Sequence, residues 1–287
     1  MKNKIILTIL MLCALSTSAQ EKYLIAGSGS PIIAIYDKQS NAIEWSYELN
    51  SGDECNCVIY DNKKVAFSYS NGMKLINMNG ETIFDYKVND GEQAQSVSKI
   101  KKGYLVGICG SPARIVELNK KGEVINEIHY NTSIDDAHSQ FRQIRKTSNN
   151  TYLVPLLAGS KIVELSKEGE FIREIKLSGG PFSVTETKSG DLLTACGHSG
   201  AIFKVESNSE NVTTLISNTT LPSNAKIEFG AEVVELKNGN ILLANWLGHN
   251  GDTSQPMLME IDSNGNVVWQ LNILDEISLV STVYPLY

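Results

Sequence analysis

The feature of this sequence that most constrains its fold is a weak internal repeat of β-like segments. The stretches "SVSKIKKGYLVGICGSPARIVELNKKGEVINEIHY" (96–130) and "FRQIRKTSNNTYLVPLLAGSKIVELSKEGEFIREIKL" (141–177) each contain four short apolar runs. The second run of each unit ends at a small or polar residue, from Ala26 in the first unit to Asn245 in the last. These two positions are five steps apart, which gives about 44 residues per step. That spacing is typical of propeller blades with four strands each.

Turn residues separate the runs in each unit. The first and second runs are joined by pairs such as Asn238-Gly239, a strong signal for a tight hairpin. The third and fourth runs are joined by "MNGE", "KKGE", "KEGE" and "SNGN", in which the glycine supplies the positive φ that such turns require. The runs are short and rich in β-branched residues, and no helical apolar period competes with them.

The two ends of the mature chain complement each other. The segment "YLIAGS" (23–28) matches a second strand with no first strand before it, and "VSTVYPL" (280–286) matches a first strand with nothing after it. We therefore predict an all-β fold, a six-bladed β-propeller with four antiparallel strands per blade. The C-terminal strand joins the N-terminal blade and closes the ring, which leaves no long open sheet edge.

The first nineteen residues predict export. "MKNKIILTILMLCALSTSA" has two early lysines, an apolar run and small residues at its end, which is the pattern of a signal peptide. We expect residues 1–19 to be removed and residues 20–287 to form a single domain in the periplasm or outside the cell. No later stretch approaches the length of a membrane span. The four remaining cysteines are too few for a disulfide framework, and we expect free, buried thiols.

Charge excludes one class of partner. The formal net charge is −7, and no basic run is present, so the surface should repel nucleic-acid phosphates. Partners that remain open are a glycan, a small polar ligand or another protein. We expect no resident cofactor, because no ligand motif for one is legible in the sequence.

One turn has a recognisable form. In "YDKQSNAIEW" (36–45), Asp37 precedes a Ser40-Asn41 turn and Trp45 follows, and "EIDSNGNVVWQL" (260–271) repeats the pattern one residue shorter, ending in Trp269. This resembles the tryptophan-docking repeat of quinoprotein alcohol dehydrogenase-like propellers, in which an Asp, a Thr-Gly turn and a Trp recur in each blade. The chain is also similar to secreted propellers common in Bacteroidetes-type bacteria.

The resemblance implies how the blades are held together rather than a reaction. It implies that Trp45 packs between blades, and the equivalent positions of three other blades hold Phe84, Asn126 and Arg173. Quinone-dependent members of that family carry an adjacent-cysteine disulfide and a calcium site with a catalytic Asp. The sequence contains no adjacent cysteine pair. A shared fold alone does not imply that this chain has the quinone-dependent activity.

The candidate site residues map to one face of the predicted ring. In a four-strand meander, the loops that enter first strands and the loops that join second to third strands lie on the same face. We expect a ligand site there that draws on the following residues: His138, Arg142, His198, Trp246, His249, Arg114 and Glu232.

These residues leave several interpretations open. They can be solvated loop residues or braces between blades, because loops collect polar side chains for many reasons. They can form a pocket for a sugar or carboxylate, in which Arg142 and the histidines donate and Trp246 supplies an aromatic wall. They can also bring His138, His198 and His249 together around a metal ion such as zinc. We favour a non-catalytic binding or scaffolding module. The alternative is an enzyme that uses the same face, either a quinoprotein-like oxidoreductase or a metal-assisted lyase or hydrolase.

Overall fold

The computed structural model describes residues 22–287, which form six four-stranded antiparallel sheets. The predicted leader, residues 1–19, lies outside the described residues. Each sheet is one blade of a β-propeller, as the repeat predicted, and apolar side chains from neighbouring blades pack against each other to form the core. Within residues 22–287, no helix is long and apolar enough to cross a membrane.

The strands are numbered in chain order, and the first three blades contain the following ones. Blade 1 consists of β1 (Lys22–Ala26), β2 (Ile32–Asp37), β3 (Ala42–Glu48) and the last strand of the chain, β24 (Thr282–Leu286). Blade 2 consists of β4 (Val58–Tyr60), β5 (Lys64–Tyr69), β6 (Gly72–Asn77) and β7 (Thr82–Lys87). Blade 3 consists of β8 (Gln93–Ile100), β9 (Gly103–Cys109), β10 (Ala113–Asn119) and β11 (Val124–Tyr130).

The second half of the ring repeats this plan. Blade 4 consists of β12 (Arg145–Lys146), β13 (Tyr152–Leu156), β14 (Lys161–Leu165) and β15 (Phe171–Lys176). Blade 5 consists of β16 (Ser183–Glu186), β17 (Leu192–Ala195), β18 (Ala201–Val205) and β19 (Val212–Ser217). Blade 6 consists of β20 (Gly230–Glu235), β21 (Ile241–Asn245), β22 (Leu258–Ile261) and β23 (Val267–Leu271). A short 3-10 helix, Ala137–Ser139, precedes blade 4.

The ring closes as the complementary ends predicted. Strand β24 pairs antiparallel with β1, with Lys22 opposite Leu286 and Ala26 opposite Thr282. The C-terminal strand thus becomes the inner strand of the N-terminal blade. Because the closing pair lies inside one sheet, opening the ring would break a full ladder of backbone hydrogen bonds.

In five of the six blades, a side chain on the fourth strand contacts the next blade. In blade 1, Asp37 Oδ1 accepts a hydrogen bond from the Gln39 backbone N–H at 2.7 Å, and Asn41 has a φ of 55°, in the left-handed region. Trp45 then donates from Nε1 to the Met78 carbonyl oxygen of blade 2 at 2.8 Å. Trp269 of blade 6 lies 5.5 Å from the Tyr23 ring of blade 1, measured between centroids.

The other positions of this repeat also reach the following blade. The Phe84 ring lies 6.0 Å from that of Tyr104, and Asn126 Nδ2 donates to Tyr152 Oη at 3.1 Å. Arg173 donates from Nη1 to the Ser209 carbonyl oxygen at 2.6 Å. The docking role implied by the motif is therefore seen at the non-tryptophan positions too.

A buried polar network crosses the centre of the ring between inner strands. Glu232 accepts from Arg145 Nη2 at 2.6 Å, from Gln143 Nε2 at 3.2 Å and from Thr282 Oγ1 at 2.7 Å. Gln143 Nε2 also donates to the Asn56 carbonyl oxygen at 2.9 Å. Inner strands converge on the axis, where there is no room for large apolar side chains from every blade. The network therefore ties blades 1, 2, 4 and 6 together and fills the middle of the ring.

Candidate functional site

A cavity of about 480 Å³ opens on the face that carries the loops entering first strands and joining second to third strands. We call it the upper cavity. Five of the six blades contribute to its lining: Ser28, Gly29, Glu54, Asn56, His138, Ser139, Arg142, Leu157, Phe182, Phe229, Trp246, Gly248, His249, Leu279 and Ser281. Its volume lies within the roughly 300–1,000 Å³ of small-molecule sites.

One wall of the upper cavity is a chain of edge-to-face ring contacts. The Trp246 ring lies 4.7 Å from that of His249 at an interplanar angle of 85°, and 5.5 Å from the Phe229 ring at 76°. Phe229 in turn contacts His198, whose ring centroid lies 4.9 Å away. Trp246 is fixed by a hydrogen bond from Nε1 to the Ser28 carbonyl oxygen at 2.9 Å. Interlocked rings of this kind form a rigid apolar wall.

The loop that carries Phe229 is held by one buried side chain. Asn245 is fully buried at the end of β21, and its Oδ1 accepts from the backbone N–H groups of Glu228 at 2.8 Å and Phe229 at 3.2 Å. Its Nδ2 donates to the carbonyl oxygens of Lys226 and Pro256. Three of the four hydrogen bonds of this amide go to the loop that carries Phe229, and the fourth goes to Pro256, so the strand end that precedes Trp246 helps to set the position of the Phe229 ring.

The opposite side of the upper cavity carries Arg142 and His138. Asp136 caps the short 3-10 helix and its Oδ1 accepts from the His138 backbone N–H at 3.3 Å. His138 Nδ1 lies 3.3 Å from Gln93 Oε1, and its Nε2 lies 3.1 Å from Arg142 Nη2. Because Arg142 can only donate, Nε2 must be the acceptor and Nδ1 carries the proton. Partial burial, and then the charge of Arg142, lower the pKa of His138, which keeps this ring neutral.

His249 has a left-handed backbone conformation. Its φ is 55° and that of the next residue, Asn250, is 65°. This region is uncommon for residues other than glycine, although Asn and His adopt it more readily than most. The conformation places the imidazole against Trp246 at the cavity edge.

The structure gathers most of the residues predicted for this face. His138, Arg142, Trp246 and His249 line the upper cavity, and His198 stands behind Phe229. The three histidines do not form a metal site, however. Among residues 22–287 no group of three or more His, Cys, Asp or Glu side chains is arranged to hold a metal ion. The three-histidine alternative was therefore wrong, because His198 packs edge-on against Phe229 and its Nδ1 lies 3.1 Å from the Glu228 carbonyl oxygen.

Two predicted residues lie elsewhere, and this corrects the expected site. Arg114 pairs with Glu92, with Nε 2.8 Å from Oε1, and with Glu127 at 3.3 Å, in a separate surface cleft of blade 3. Glu232 belongs to the buried network on the axis and is 4% exposed. Their charges are already satisfied by protein groups, which sequence position alone does not reveal.

Sequence reasoning missed most of the lining residues, among them two aromatic rings and a carboxylate. Phe182 and Phe229 come directly before the inner strands of blades 5 and 6, and Glu54 comes shortly before that of blade 2. The signal was present in "PFSV" and "EFGAEVV", where an aromatic residue precedes a first strand. The Gly-rich turn "AGSGS" (26–30) contributes Ser28 and Gly29 to the lining of the cavity.

A larger cleft of about 1010 Å³ lies between blades 3 and 4 and is lined largely by lysines and glutamates, among them Lys146, Glu117 and Glu186. Lys146 pairs with Glu117, and Glu186 accepts from Ser148 at 2.7 Å. Several of its polar groups pair with each other and it has no wall of aromatic rings, so the upper cavity is the better candidate for a ligand site.

Similar folds occur in solved structures. A protein of unknown function from Bacteroides caccae is 35% identical, with a TM-score of 0.88, over 93% of this chain and 99% of that chain. A streptogramin B lyase is 14% identical, with a TM-score of 0.64, over 92% of this chain and 89% of that chain. A chain of a nidogen/laminin complex is 10% identical, with a TM-score of 0.67, over 92% of this chain and 98% of that chain. The last two likenesses show the fold alone.

No curated protein matches the sequence. Residues 29–266, which hold all of blades 2–5, three strands of blade 6 and two strands of blade 1, match the family described as Mal s 1 allergenic protein-like. The match leaves out β1, β23 and β24, and the 35% identity to the Bacteroides caccae protein extends along nearly the whole chain. The chain belongs to the Mal s 1 allergenic protein-like family.

Proposed function

We propose that this protein is an exported binding module whose upper cavity takes a small ligand. The single observation that carries the proposal is the ring wall of Phe229, Trp246 and His249, which bounds a cavity of about 480 Å³. An apolar wall that is left facing a cavity is stabilised when a ligand displaces its water.

The chemistry of the lining favours binding over catalysis. Both ring nitrogens of His138 are engaged, by Gln93 and Arg142. The four cysteines at positions 55, 57, 109 and 196 are buried and free, and burial raises the pKa of each thiol. Buried, protonated thiols are poor nucleophiles.

Export and the choice of partner are part of the proposal. The leader pattern of residues 1–19 supports release into the periplasm or beyond. An aromatic wall with hydroxyl and amide groups nearby also suits the faces of a sugar, so a glycan fragment belongs among the ligands to be tested. A protein partner is the second possibility for this face, and a propeller chain in a nidogen/laminin complex shares the fold.

A lyase is the second candidate function, and one observation favours it. His249 lines the upper cavity, and within residues 22–287 its ring nitrogens make no hydrogen bond, so the imidazole is free to move a proton. A streptogramin B lyase has the same fold. If the protein is a lyase, a streptogramin B substrate should be converted to a product with a new retention time, and His249→Ala should abolish the conversion.

The quinoprotein-like oxidoreductase rests on the docking motif alone and predicts dye-linked alcohol oxidation with added calcium and quinone. The binding module predicts neither reaction.

The binding proposal is tested by a fragment screen on the mature protein. Uncharged aromatic fragments, organic acids and monosaccharides would be screened by ligand-detected NMR, with Trp246→Ala as the counter-screen. We expect hits whose signals weaken in Trp246→Ala and persist in Trp45→Phe, which alters a ring at the blade 1–2 contact outside the cavity. Hits that bind both variants and the wild type equally, or a screen without hits, would contradict the proposal.

A further inference from the structure

Arg142 differs from the other arginines in its pairing. The sequence contains four arginines, and the other three each pair with a glutamate: Arg114 with Glu92, Arg145 with Glu232 and Arg173 with Glu164. Arg142 is 5% exposed, yet no carboxylate of residues 22–287 lies within ion-pair distance of it. It is the one buried guanidinium in the described chain that lacks a counter-ion, and it lines the upper cavity.

The hydrogen bonds of Arg142 leave one edge of its guanidinium open. Nη1 donates to the carbonyl oxygens of His138 and Phe141, the latter at 3.1 Å, and Nη2 donates to His138 Nε2. Its Nε–H makes no hydrogen bond within residues 22–287, and the group has more N–H donors than these contacts use. These contacts fix the position of the Arg142 guanidinium but do not neutralise its positive charge.

A buried charge without a partner is costly, and proteins rarely retain one that serves no purpose. Burial also lowers the pKa of the Arg142 guanidinium, which is the sign of that cost. Neutral His138 accepts from Arg142 but contributes no negative charge, and the carboxylates of Glu54 and Asp136 act on Arg142 only from beyond ion-pair distance. A ligand anion at the open edge would supply the missing charge and a charge-assisted hydrogen bond.

The rest of the lining restricts the anion. Arg142 is the only Lys or Arg side chain among the lining residues, and Glu54 lines the same cavity without pairing with it. A doubly charged phosphate would face one positive group and one negative group, whereas a carboxylate balances Arg142 with a single charge. Trp246, Phe229 and Phe182 offer the remaining surface to an apolar body.

We propose that the upper cavity takes an organic acid, with its carboxylate on Arg142 and a planar apolar body against Trp246 and Phe229. This inference rests on the proposed binding function and names the chemical class of its ligand.

The test compares an acid with its uncharged counterpart. Phenylacetate and phenylacetamide would be titrated at constant ionic strength into the mature protein, with tryptophan fluorescence as the readout. Trp246→Phe identifies the part of the signal that comes from the cavity. We expect phenylacetate to bind at least about tenfold more tightly than phenylacetamide, since hydrogen bonds to charged groups are stronger than neutral ones.

Three variants separate charge from shape. Arg142→Gln should remove the preference for the acid and leave phenylacetamide binding within about threefold of wild type. Glu54→Gln should strengthen phenylacetate binding, because it removes a like charge from the cavity. Arg114→Gln is the matched control, since it alters a buried guanidinium in another cleft, and it should keep the wild-type preference.

The outcomes are distinguishable. Equal binding of phenylacetate and phenylacetamide, with the Trp246 signal intact, would overturn the acid inference and leave the binding function standing. Tighter binding of phenyl phosphate than of phenylacetate would overturn the choice of a singly charged acid. If neither compound alters Trp246 fluorescence but other fragments bind there, the acid inference fails alone. The proposed function fails as well only if the fragment screen finds nothing in the upper cavity.

Discussion

Arg142 Nη2 lies 3.1 Å from His138 Nε2, so a positively charged fork and a neutral imidazole stand side by side at the edge of the upper cavity. The contact is favourable only while His138 is unprotonated, since a second positive charge would then face Arg142. Gln93 Oε1 lies 3.3 Å from the other ring nitrogen, Nδ1, and Asp136 accepts from the His138 backbone N–H. The pair thus ties the electrostatics of the site to pH.

His138 should make the fold sensitive to mild acid. Its pKa is lowered from the usual 6.5, so the unfolded chain takes up this proton at a higher pH than the folded chain does. The unfolded state therefore binds more protons in that window, and the stability that His138 contributes above pH 6.5 is lost as pH falls through its folded pKa. In urea unfolding at about pH 7.5 and about pH 5, His138→Gln should lose less stability on acidification than wild type.

His129→Gln is the control for this comparison. His129 lies on outer strand β11 beside Glu127, with a side chain that is 60% exposed. Its substitution should leave the wild-type change with pH in place. Identical changes in wild type and His138→Gln would show that the Arg142–His138 contact does not control the response.

Glu232 should be central to ring closure. It accepts from Arg145 on blade 4 and from Thr282 and the Val283 backbone N–H on closing strand β24. Glu232→Ala strands a buried guanidinium and should lower the free energy of unfolding by about 3–5 kcal/mol in urea. The double variant Arg145→Met/Glu232→Leu should recover at least about half of this loss, because a well-packed apolar pair avoids the desolvation cost.

The matched control is a surface pair. Lys161 and Glu174 lie 2.7 Å apart, with side chains about one third exposed, and Lys161→Ala should leave the unfolding midpoint within error of wild type. A small effect of Glu232→Ala, similar to that of the surface change, would mean that the axial network does not hold the ring shut.

The blade-docking turns can be tested at one glycine. Gly122 and Gly239 both have positive φ, 84° and 87°, but a Cβ at Gly122 would lie 2.7 Å from Phe84 Cδ2, whereas nothing lies within 4 Å of one at Gly239. Gly239→Ala should cost about 1 kcal/mol from backbone strain alone. Gly122→Ala should cost about 1–3 kcal/mol more, because it also pushes a docked ring away from its blade.

A double-mutant cycle checks the cause. In a Phe84→Ala background the ring is gone, so the two glycine substitutions should cost the same free energy of unfolding within about 0.5 kcal/mol. A Gly122 penalty that persists without the Phe84 ring would show that docking across blades 2 and 3 is not what restricts this turn.

His249 should separate stability from binding. Glycine adopts the φ of 55° seen here without strain, so His249→Gly should leave the melting temperature unchanged or raise it. The same change removes one ring of the cavity wall and should weaken ligand binding measured by Trp246 fluorescence. Asn250→Gly relieves a neighbouring positive φ without touching the wall and should keep wild-type affinity. Loss of stability in His249→Gly would mean that the imidazole serves the fold rather than the site.

The fold could be predicted from the sequence because its determinants are local and repeated. Four apolar runs per unit, glycine at the turns and complementary termini are each properties of a few neighbouring residues, and together they leave one ring with six blades. Even the left-handed conformation of Asn41 follows from its place in the turn. The docking role of Trp45 was implied by the resemblance to the tryptophan-docking repeat.

The site was only partly predictable, because its properties depend on residues far apart in the chain. Loop order indicated which face would carry His138, Arg142, Trp246 and His249. It did not indicate that Arg114 meets Glu92, that Glu232 turns to the axis or that Arg142 is left without a carboxylate. Which charged side chains pair depends on the geometry of residues in different blades. The amino-acid composition and the spacing of residues in the sequence do not show it.

The central claim is that the upper cavity binds an organic acid through Arg142, and a crystal structure of residues 20–287 soaked with phenylacetate tests it most directly. The account predicts density for the ring against Trp246 and Phe229, with a carboxylate oxygen about 2.8 Å from the Arg142 guanidinium. Density that appears only elsewhere, such as at Arg114, or a cavity that stays without ligand at saturating phenylacetate while Trp246 keeps its place, would contradict it.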